Sequence, residues 1–256
     1  MNTVRDVYEY INAFAPFYTA ESWDNSGLLV EAKGAEVDKV LIALDITADV
    51  VEEAKEIGAN LIVSHHPVIF EPLKRIASDD VVYQLAKHDI SAICAHTNLD
   101  VAQGGVNDIL AHRLNLQNIQ PLEPLDSNGL SLGRIGELNT TMDCAAFLDS
   151  VKKELGCSGL KYTQGCTQIK RVAVCGGAGA SLVYRAAQLQ ADALVTADSK
   201  HNILLDAKKL GITLVDAGHY CTEQVVLQPL AEKLREAFPS LCIVCSQREG
   251  DPVQYQ

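Results

Sequence analysis

The feature that most constrains the fold is a regular alternation of short apolar runs with segments of helical spacing. Runs such as KVLIALD, LIVSHH and RVAVCG have the length of strands, and each precedes a segment whose apolar residues recur every three or four positions. Runs that are apolar almost throughout are typical of strands buried on both faces of a parallel sheet, with helices as the covering layers. The sequence therefore predicts an α/β fold with a parallel or mixed sheet.

The individual strands and helices follow from the same patterns. We predict strands at GLLV near Leu28, KVLIALD to Asp45, LIVSHH to His66, SAICAHT to Thr97, RIGEL near Ile135, RVAVCG to Gly176, ALVTAD to Asp198, ITLVDAG to Gly218 and LCIVCS. We predict helices at Val4–Phe14, Ala48–Ile57, Asp80–Lys87, Gly105–Leu114, Met142–Leu155, Ser181–Leu189, His201–Leu210 and Thr222–Phe238. Ligands of such sheets collect at the carboxyl ends of the strands, so the polar segments SHH, AHTNLD, VTADSKH and DAGHYCTE carry the most functional weight.

An internal repeat relates the two halves of the chain. Residues 40–63 and 172–195 match without gaps at a shift of 132, and a second match at a shift of 123 pairs the His-x-x-x-acid segments 96–100 and 219–223. Any two strand-helix-strand units share Val and Ala positions, so the first match alone leaves chance similarity open, whereas the two together favour duplication. We therefore predict two related α/β lobes, 1–125 and 126–256, with a metal site in the cleft between them and with the C-terminal helix able to pack back on the first lobe.

Charge and hydropathy exclude several classes of partner. The 256 residues carry a formal net charge of −12, which repels a phosphate backbone, and no Lys/Arg cluster contains interleaved aromatic residues. The N-terminal segment MNTVRDVYEYINAF has acids and tyrosines where a signal peptide requires an apolar core, and no stretch approaches the roughly 18 apolar residues of a membrane span. We expect a cytoplasmic protein with neither a nucleic-acid nor a membrane partner.

The eight cysteines favour buried thiols over a disulfide framework, because most of them lie inside apolar runs rather than at regular loop spacings. Cys242 and Cys245 form a C-x-x-C pattern. In a strand this spacing places the two side chains on opposite faces, so we expect neither a zinc nor a redox role for them.

Two adjacent histidines end one of the predicted strands. His65 and His66 stand directly before Pro67, where the chain must turn. Adjacent side chains on extended backbone diverge, so the pair can reach two ions about 3.5–4 Å apart, which is the separation in two-metal sites. For an isolated His-His pair an exposed turn is the alternative.

A His-x-x-x-acid pattern follows two other predicted strands. His96 precedes Asp100, and a turn at 97–99 can return the carboxylate toward the same ions. His219 precedes Glu223 at the predicted start of the last helix, where a spacing of four places both side chains on one face. Imidazole nitrogens combined with carboxylate oxygens suit Zn, Fe, Mn or Ni better than Ca.

Two further segments have both a structural and a functional interpretation. CGGAGAS follows a strand and opens a helix, so its amides can hold an anion, although close packing of a helix on a strand also requires glycines. In WDNSG, Asp24 and Asn25 lie in a turn, and we expect Trp23 to anchor this turn in the core.

The motifs WDNSGLLV, SHHPVIF, AHTNLDVAQGGVND, CGGAGAS and DAGHYCTE resemble, in this order and over nearly the whole chain, a family with a dinuclear metal centre. Its members are called Nif-three-like or YbgI-like proteins, or type 2 homologues of GTP cyclohydrolase I. The resemblance implies a ring-shaped homohexamer with metal sites that face an inner cavity. It also implies the following ligands: His66 and Asp100 on one ion, His65 and His219 on the other, and Glu223 as a bridge.

One segment departs from the family pattern. VTADSKHN has Ala197 where the family often has glycine and Asn202 where it often has histidine. His201 can substitute in proton transfer, and the alternative is a solvated residue at a helix start. The roles of His201 and Asn202 stay open at this stage.

The resemblance and the ligand set together predict a metal-dependent hydrolase with two divalent ions per chain. The family name implies hydrolysis of a nucleotide such as GTP, and another phosphate-bearing small molecule is equally compatible with the site. We expect His96 to act catalytically, by moving a proton or by orienting Asp100. The alternatives are a metal-handling protein that stores or delivers ions and a structural or regulatory partner whose metals join the two lobes.

Overall fold

The structure is a computed structural model, and it describes residues 2–33, 36–126 and 129–256. Its strands are β1 (Asn2–Thr3), β2 (Gly27–Val30), β3 (Glu36–Val37), β4 (Lys39–Ala43), β5 (Leu61–Ser64), β6 (Ser91–Cys94), β7 (Gln117–Pro124), β8 (Ser131–Asp143), β9 (Lys161–Thr163), β10 (Gln168–Val174), β11 (Ala193–Thr196), β12 (Thr213–Asp216) and β13 (Cys242–Cys245). Its α-helices are α1 (Val4–Phe14), α2 (Ala48–Ile57), α3 (Val81–Lys87), α4 (Thr97–Val101), α5 (Val106–Arg113), α6 (Cys144–Leu155), α7 (Val183–Gln188), α8 (His201–Leu210), α9 (His219–Glu223) and α10 (Leu227–Ala237). The predicted α/β class is confirmed. None of the helices in the described ranges is long and apolar enough to cross a membrane.

The chain forms two compact units. The first extends to Leu99 and includes Leu227–Gly250, whereas the second comprises Asp100–Val226 and Asp251–Gln256. The C-terminal helix α10 is therefore part of the first unit. The predicted lobes, 1–125 and 126–256, are defined by the sequence repeat, whereas these units are defined by their internal contacts. The boundary between the lobes stays a prediction.

The first unit is built on a sheet of strand order β13-β4-β5-β6-β2, in which only β2 is antiparallel to its neighbour. Helix α2 connects β4 to β5 and packs Val50, Val51 and Ala54 against the apolar side chains of the sheet. Thr47 begins this helix by accepting a hydrogen bond from the Val50 amide, and Gly58 ends it in a left-handed conformation. These caps fix the connection that delivers the chain to β5.

The second unit contains the sheet β7-β8-β10-β11-β12-β9, whose central strands β10, β11 and β12 are parallel. Successive residues of β10 point to opposite faces, so Val172 and Val174 join one apolar cluster and Ala173 joins another. Residues of β11 divide between the clusters in the same way. Burial on both faces explains why these strands are apolar throughout instead of alternating with polar residues.

The predicted strand-helix-strand geometry is present in both segments of the repeat. Val40 pairs with Leu61 in the first unit, and at the same shift of 132 Val172 pairs with Ala193 in the second. Each sheet continues with a third parallel strand, β6 or β12, and then with an antiparallel strand, β2 or β9. This shared connectivity supports the predicted duplication. The segment between β12 and His219 is one residue longer than the segment between β6 and His96. The additional residue is Gly218, whose φ of 87° lies in the left-handed region that glycine tolerates.

The prediction of one helix over Thr222–Phe238 is wrong. The structure has α9, a 3₁₀ turn at Gln224–Val226 and then α10. Pro229 lies in the first turn of α10, where its missing amide hydrogen does no harm, whereas a continuous helix would need that hydrogen to reach the carbonyl of Val225. The proline therefore separates a short helix, which carries His219 and Glu223, from the longer one.

Glu249 connects the C-terminal segment of the first unit to the end of β4. Its carboxylate accepts hydrogen bonds from the amides of Leu44, at 2.6 Å, and of Asp45, at 3.4 Å. Burial raises the pKa of Glu249 to about 7, although both amide hydrogen bonds oppose this shift.

We expect this shift to make stability depend on pH. The raised pKa favours the protonated folded state, so the contribution of Glu249 is complete below its usual pKa of 4.5 and is lost as the pH rises toward about 7. The difference in free energy of unfolding between the wild type and Glu249→Gln should therefore shift against the wild type as the pH rises from 4.5 to about 7. Above pH 7 this difference should stay constant. Urea unfolding of both proteins in chelator across this range measures the difference, and a pH-independent difference would contradict the prediction.

Candidate metal centre

Three histidines of the first unit lie at the carboxyl ends of two neighbouring strands. His65 and His66 follow β5 directly, and His96 stands two residues after β6. Strands β5 and β6 are parallel and adjacent, so their ends lie at the same edge of the sheet. One ligand atom from each of the three imidazoles lies within 4.8 Å of those from the other two. His96, for which the sequence predicts catalysis, is thus also placed as a possible nitrogen ligand.

Hydrogen bonds at Nδ1 fix the orientation of each of these rings. Nδ1 of His65 lies 2.8 Å from the carbonyl oxygen of Ala95. A carbonyl only accepts, so Nδ1 of His65 carries the hydrogen, and Nε2 of the neutral ring carries the lone pair that binds a metal. Carboxylates hold the other two rings in the same way, since Asp45 lies 2.8 Å from Nδ1 of His66 and Asp24 lies 2.8 Å from Nδ1 of His96.

Asp24 is the most fully engaged of these supporting carboxylates. Its side chain has no solvent exposure. It accepts hydrogen bonds from the Asn25 amide, the Ser26 hydroxyl, and both the amide and the hydroxyl of Thr97, in addition to its bond with His96. Burial by itself would raise the pKa of Asp24, but the hydrogen bonds from His96, Thr97 and Ser26 outweigh burial and hold the pKa far below its usual value. Asp24 therefore stays ionised and keeps Nδ1 of His96 occupied.

The expectation that Trp23 anchors the turn in the core is wrong. The residue is 58% exposed. Asp24, the next residue, takes over the anchoring because its buried carboxylate holds the turn through hydrogen bonds. The indole is consequently displayed at the surface of the first unit.

In the second unit, His219 and Glu223 occupy one face of α9, as their spacing predicts. Nε2 of His219 lies 2.9 Å from a carboxylate oxygen of Glu223, and Nδ1 of His219 lies 2.7 Å from Asp198. Asp198 adopts a φ of 50°, the left-handed conformation that aspartate tolerates better than most residues. His219 therefore has the same support as the histidines of the first unit, and its Nε2 faces a buried carboxylate.

The glycines of CGGAGAS make room for α9. A Cβ atom on Gly177 would lie 2.1 Å from the Glu223 carboxylate, and one on Gly176 would lie 3.3 Å from the Glu223 side chain, as well as 2.9 Å from Val106 of α5. The amide of Gly177 donates a hydrogen bond to the hydroxyl of Thr222, on the same helix. Of the two interpretations of this motif, close packing against a helix is the one that these contacts support.

Asp100 is the remaining predicted ligand, and it is buried in the second unit. The pKa of the buried Cys175 thiol is raised, chiefly by burial and further by the negative charges of Asp100 and Glu223. Asn107 supports the segment, since it donates to the carbonyl of Asp100 and accepts from the amide of Gly176. The second unit thus holds three of the predicted ligands, Asp100, His219 and Glu223.

His201 and Asn202 lie elsewhere. They are the first two residues of α8, and both are exposed. This placement agrees with the solvated helix start considered for His201.

The ligand types within each unit fit a transition-metal ion. The first unit supplies imidazole nitrogens whose other ring nitrogen is held by a carbonyl or a carboxylate, which is the usual support for a metal-binding histidine. The second supplies an imidazole held in the same way and two buried carboxylates, of which Glu223 lies beside glycines that leave space for it. The number of ions and the assignment of each ligand to an ion stay predictions.

Comparisons with known proteins identify the family. The sequence profile of Duf34/NIF3 (NGG1p interacting factor 3) matches residues 2–252. A Clostridium perfringens protein named "GTP cyclohydrolase 1 type 2 homolog" is 34% identical over an alignment of length 260, which covers 98% of this chain and 99% of the relative.

Two solved structures are similar over nearly the whole chain. A hypothetical protein from Staphylococcus aureus is 32% identical with a TM-score of 0.93, and the match covers 99% of each chain. A Bacillus cereus protein related to NIF3 is 27% identical with a TM-score of 0.94, and the match covers 100% of each chain. Profile, sequence and structure agree over almost all of the residues, and we conclude that this chain belongs to the Duf34/NIF3 family.

Proposed function

We propose that this chain is a metal-dependent hydrolase with a dinuclear centre, and that it acts on a nucleotide or another phosphate-bearing small molecule. The proposed ligands of two divalent ions are His65, His66, Asp100, His219 and Glu223. The observation that carries the proposal is the support at Nδ1 of every histidine in this set, which leaves Nε2 as the metal-binding atom. The name of the Clostridium perfringens relative supports a cyclohydrolase-like reaction.

When bound, two such ions supply Lewis acidity that activates water near neutral pH and polarises the electrophilic atom of the substrate. The residues of the chain set the conditions for this chemistry. Glu223 is buried, and its negative charge offsets the repulsion between two cations. His96 is only slightly exposed, and its Nδ1 is held by an ionised Asp24. We propose that Nε2 of His96 accepts or donates the proton that hydrolysis moves.

The test is a screen of the purified chain, reconstituted separately with Zn²⁺, Fe²⁺, Mn²⁺ and Ni²⁺, against nucleotides and phosphoesters. We expect at least one reconstituted form to release product and the chelated control to be inactive. His96→Gln should keep its metal content but lose about 10²- to 10⁴-fold in turnover, as is typical when a general acid or base is removed.

Two results would contradict the proposal. Full metal occupancy without turnover in every form would instead support the metal-handling alternative. Equal turnover by the chelated protein would remove the metal from the mechanism. The homohexamer and the cytoplasmic location stay predictions.

A further inference from the structure

Two aromatic side chains are displayed at the surface of the first unit beside the histidines. Trp23 is 58% exposed and Phe70 is 52% exposed. Their ring centroids are 6.0 Å apart. The Trp23 ring also lies 6.1 Å from the His96 ring, in an edge-on arrangement at 77°. We call Trp23 and Phe70 the aromatic platform.

The two chain segments that carry the platform are anchored by hydrogen bonds. The carboxylate of Asp24, adjacent to Trp23, is bonded to Thr97, Ser26 and His96. On the other side, the amide group of Asn25 donates to the carbonyl of Ile69 at 2.6 Å. Since Ile69 directly precedes Phe70, this bond joins the two segments that carry the platform. A surface that is fixed before a ligand arrives loses little conformational entropy on binding.

The net charge of the chain also favours recognition of a substrate through stacking of its aromatic ring. With a net charge of −12, the chain as a whole repels a phosphate-bearing substrate. Affinity must then come from metal ions or from contacts that do not depend on charge. Stacking of a base on an aromatic side chain is such a contact, because every base has a π face.

We propose that the aromatic platform binds the planar heteroaromatic ring of the substrate and places it beside His96. This inference rests on the proposed function and narrows its substrate class: the substrate carries a flat heterocycle such as a nucleobase, whereas a phosphoester without a ring lacks this contact. Trp23 supplies the larger stacking face. His96, which we propose to move the proton, has its ring 6.1 Å from the Trp23 ring.

The test uses the fact that Trp23 is the only tryptophan of the chain. Indole fluorescence, excited at the red edge of its absorption, therefore reports on this site alone. Guanosine 5′-monophosphate carries a guanine base where ribose 5-phosphate has a hydroxyl group, and each is titrated into the purified chain with and without metal. We expect guanosine monophosphate to quench the emission in a saturable manner, and ribose 5-phosphate to leave it unchanged.

Variants then separate stacking from other effects, with affinity measured by calorimetry. Trp23→Leu should weaken binding of guanosine monophosphate about 5- to 100-fold, the range expected for loss of one base-aromatic stack. Trp23→Phe should recover most of the affinity because it retains a ring. Tyr18→Leu removes another exposed aromatic residue of the same unit, at 85% exposure, and should leave affinity unchanged.

Several outcomes would overturn the inference. One is equal affinity for the two phosphates, and another is unchanged affinity in Trp23→Leu. A third is an emission maximum that shifts with protein concentration and does not respond to guanosine monophosphate, since this would show that a second copy of the chain covers Trp23. Failure of the hydrolase proposal gives a different result: the ring still binds and quenches, but no metal-loaded form turns over.

Discussion

Glu223→Gln should reduce the metal content of the purified chain from the proposed two ions to none, or to one weakly held ion. The substitution keeps the size of the side chain and removes only its charge. If Glu223 bridges the ions, this charge offsets the repulsion between two dications and sets their separation, whereas a terminal histidine contributes one bond to one ion. His65→Ala should accordingly empty mainly the ion that His65 binds. Metal per chain, measured after gel filtration, distinguishes the two variants.

The position of Glu223 dictates the controls. The carboxylate is buried in α9, so its neutralisation can also affect folding. The circular dichroism spectrum of Glu223→Gln must match that of the wild type before the metal content is interpreted. Glu232→Gln removes the same charge at an exposed position of α10 and should retain both ions. Two ions retained in Glu223→Gln would show that this residue is not the bridge.

The strands that carry the candidate ligands could be predicted because their signal is local. Strands β5, β6 and β12 are largely apolar runs buried along their whole length; β5 and β12 end on a polar residue, and β6 ends two residues before His96. Parallel pairing brings such ends to one edge of a sheet, so the grouping of His65, His66 and His96 follows from the order of the elements. Polar strands at the edge of a sheet have no such signal, and β7 and β9 are therefore absent from the predicted strands.

The partners of the histidines were harder to predict. Asp45 and Asp198 lie 21 residues from the histidines that they hold, and Asp24 lies 72 residues from His96. Such pairs form only when loops that adjoin different strands come into contact, and no periodicity in the sequence indicates which loops do so. The motif WDNSG did mark a turn, but whether Trp23 or Asp24 points inward depends on which neighbour can hydrogen-bond a buried carboxylate. Ser26 directly precedes β2 and Thr97 follows β6, and the pairing of these two strands brings both hydroxyls to Asp24.

The role of Gly177 could not be predicted from the sequence for a similar reason. A substitution at this position is the second change for which we expect a large effect. Gly177→Ala should lower the metal content as strongly as a direct change of ligand. The new Cβ atom would lie 2.1 Å from the Glu223 carboxylate and 3.2 Å from the His219 ring, so both side chains must move. The φ of 59° at this position adds a backbone cost of about 1–2 kcal/mol for any residue other than glycine.

Gly211→Ala separates these two effects. Gly211 has a φ of 74° and caps α8 in the same unit, but a Cβ atom there would meet nothing within 4 Å. Both variants should lose a few degrees in Tm from backbone strain, at about 2–4 °C per kcal/mol for a chain of this size. Only Gly177→Ala should also lose metal, because only its Cβ atom displaces Glu223. If Gly177→Ala matched Gly211→Ala in both Tm and metal content, the space at Gly177 would have no part in holding the ligand, and the glycines of CGGAGAS would need another explanation.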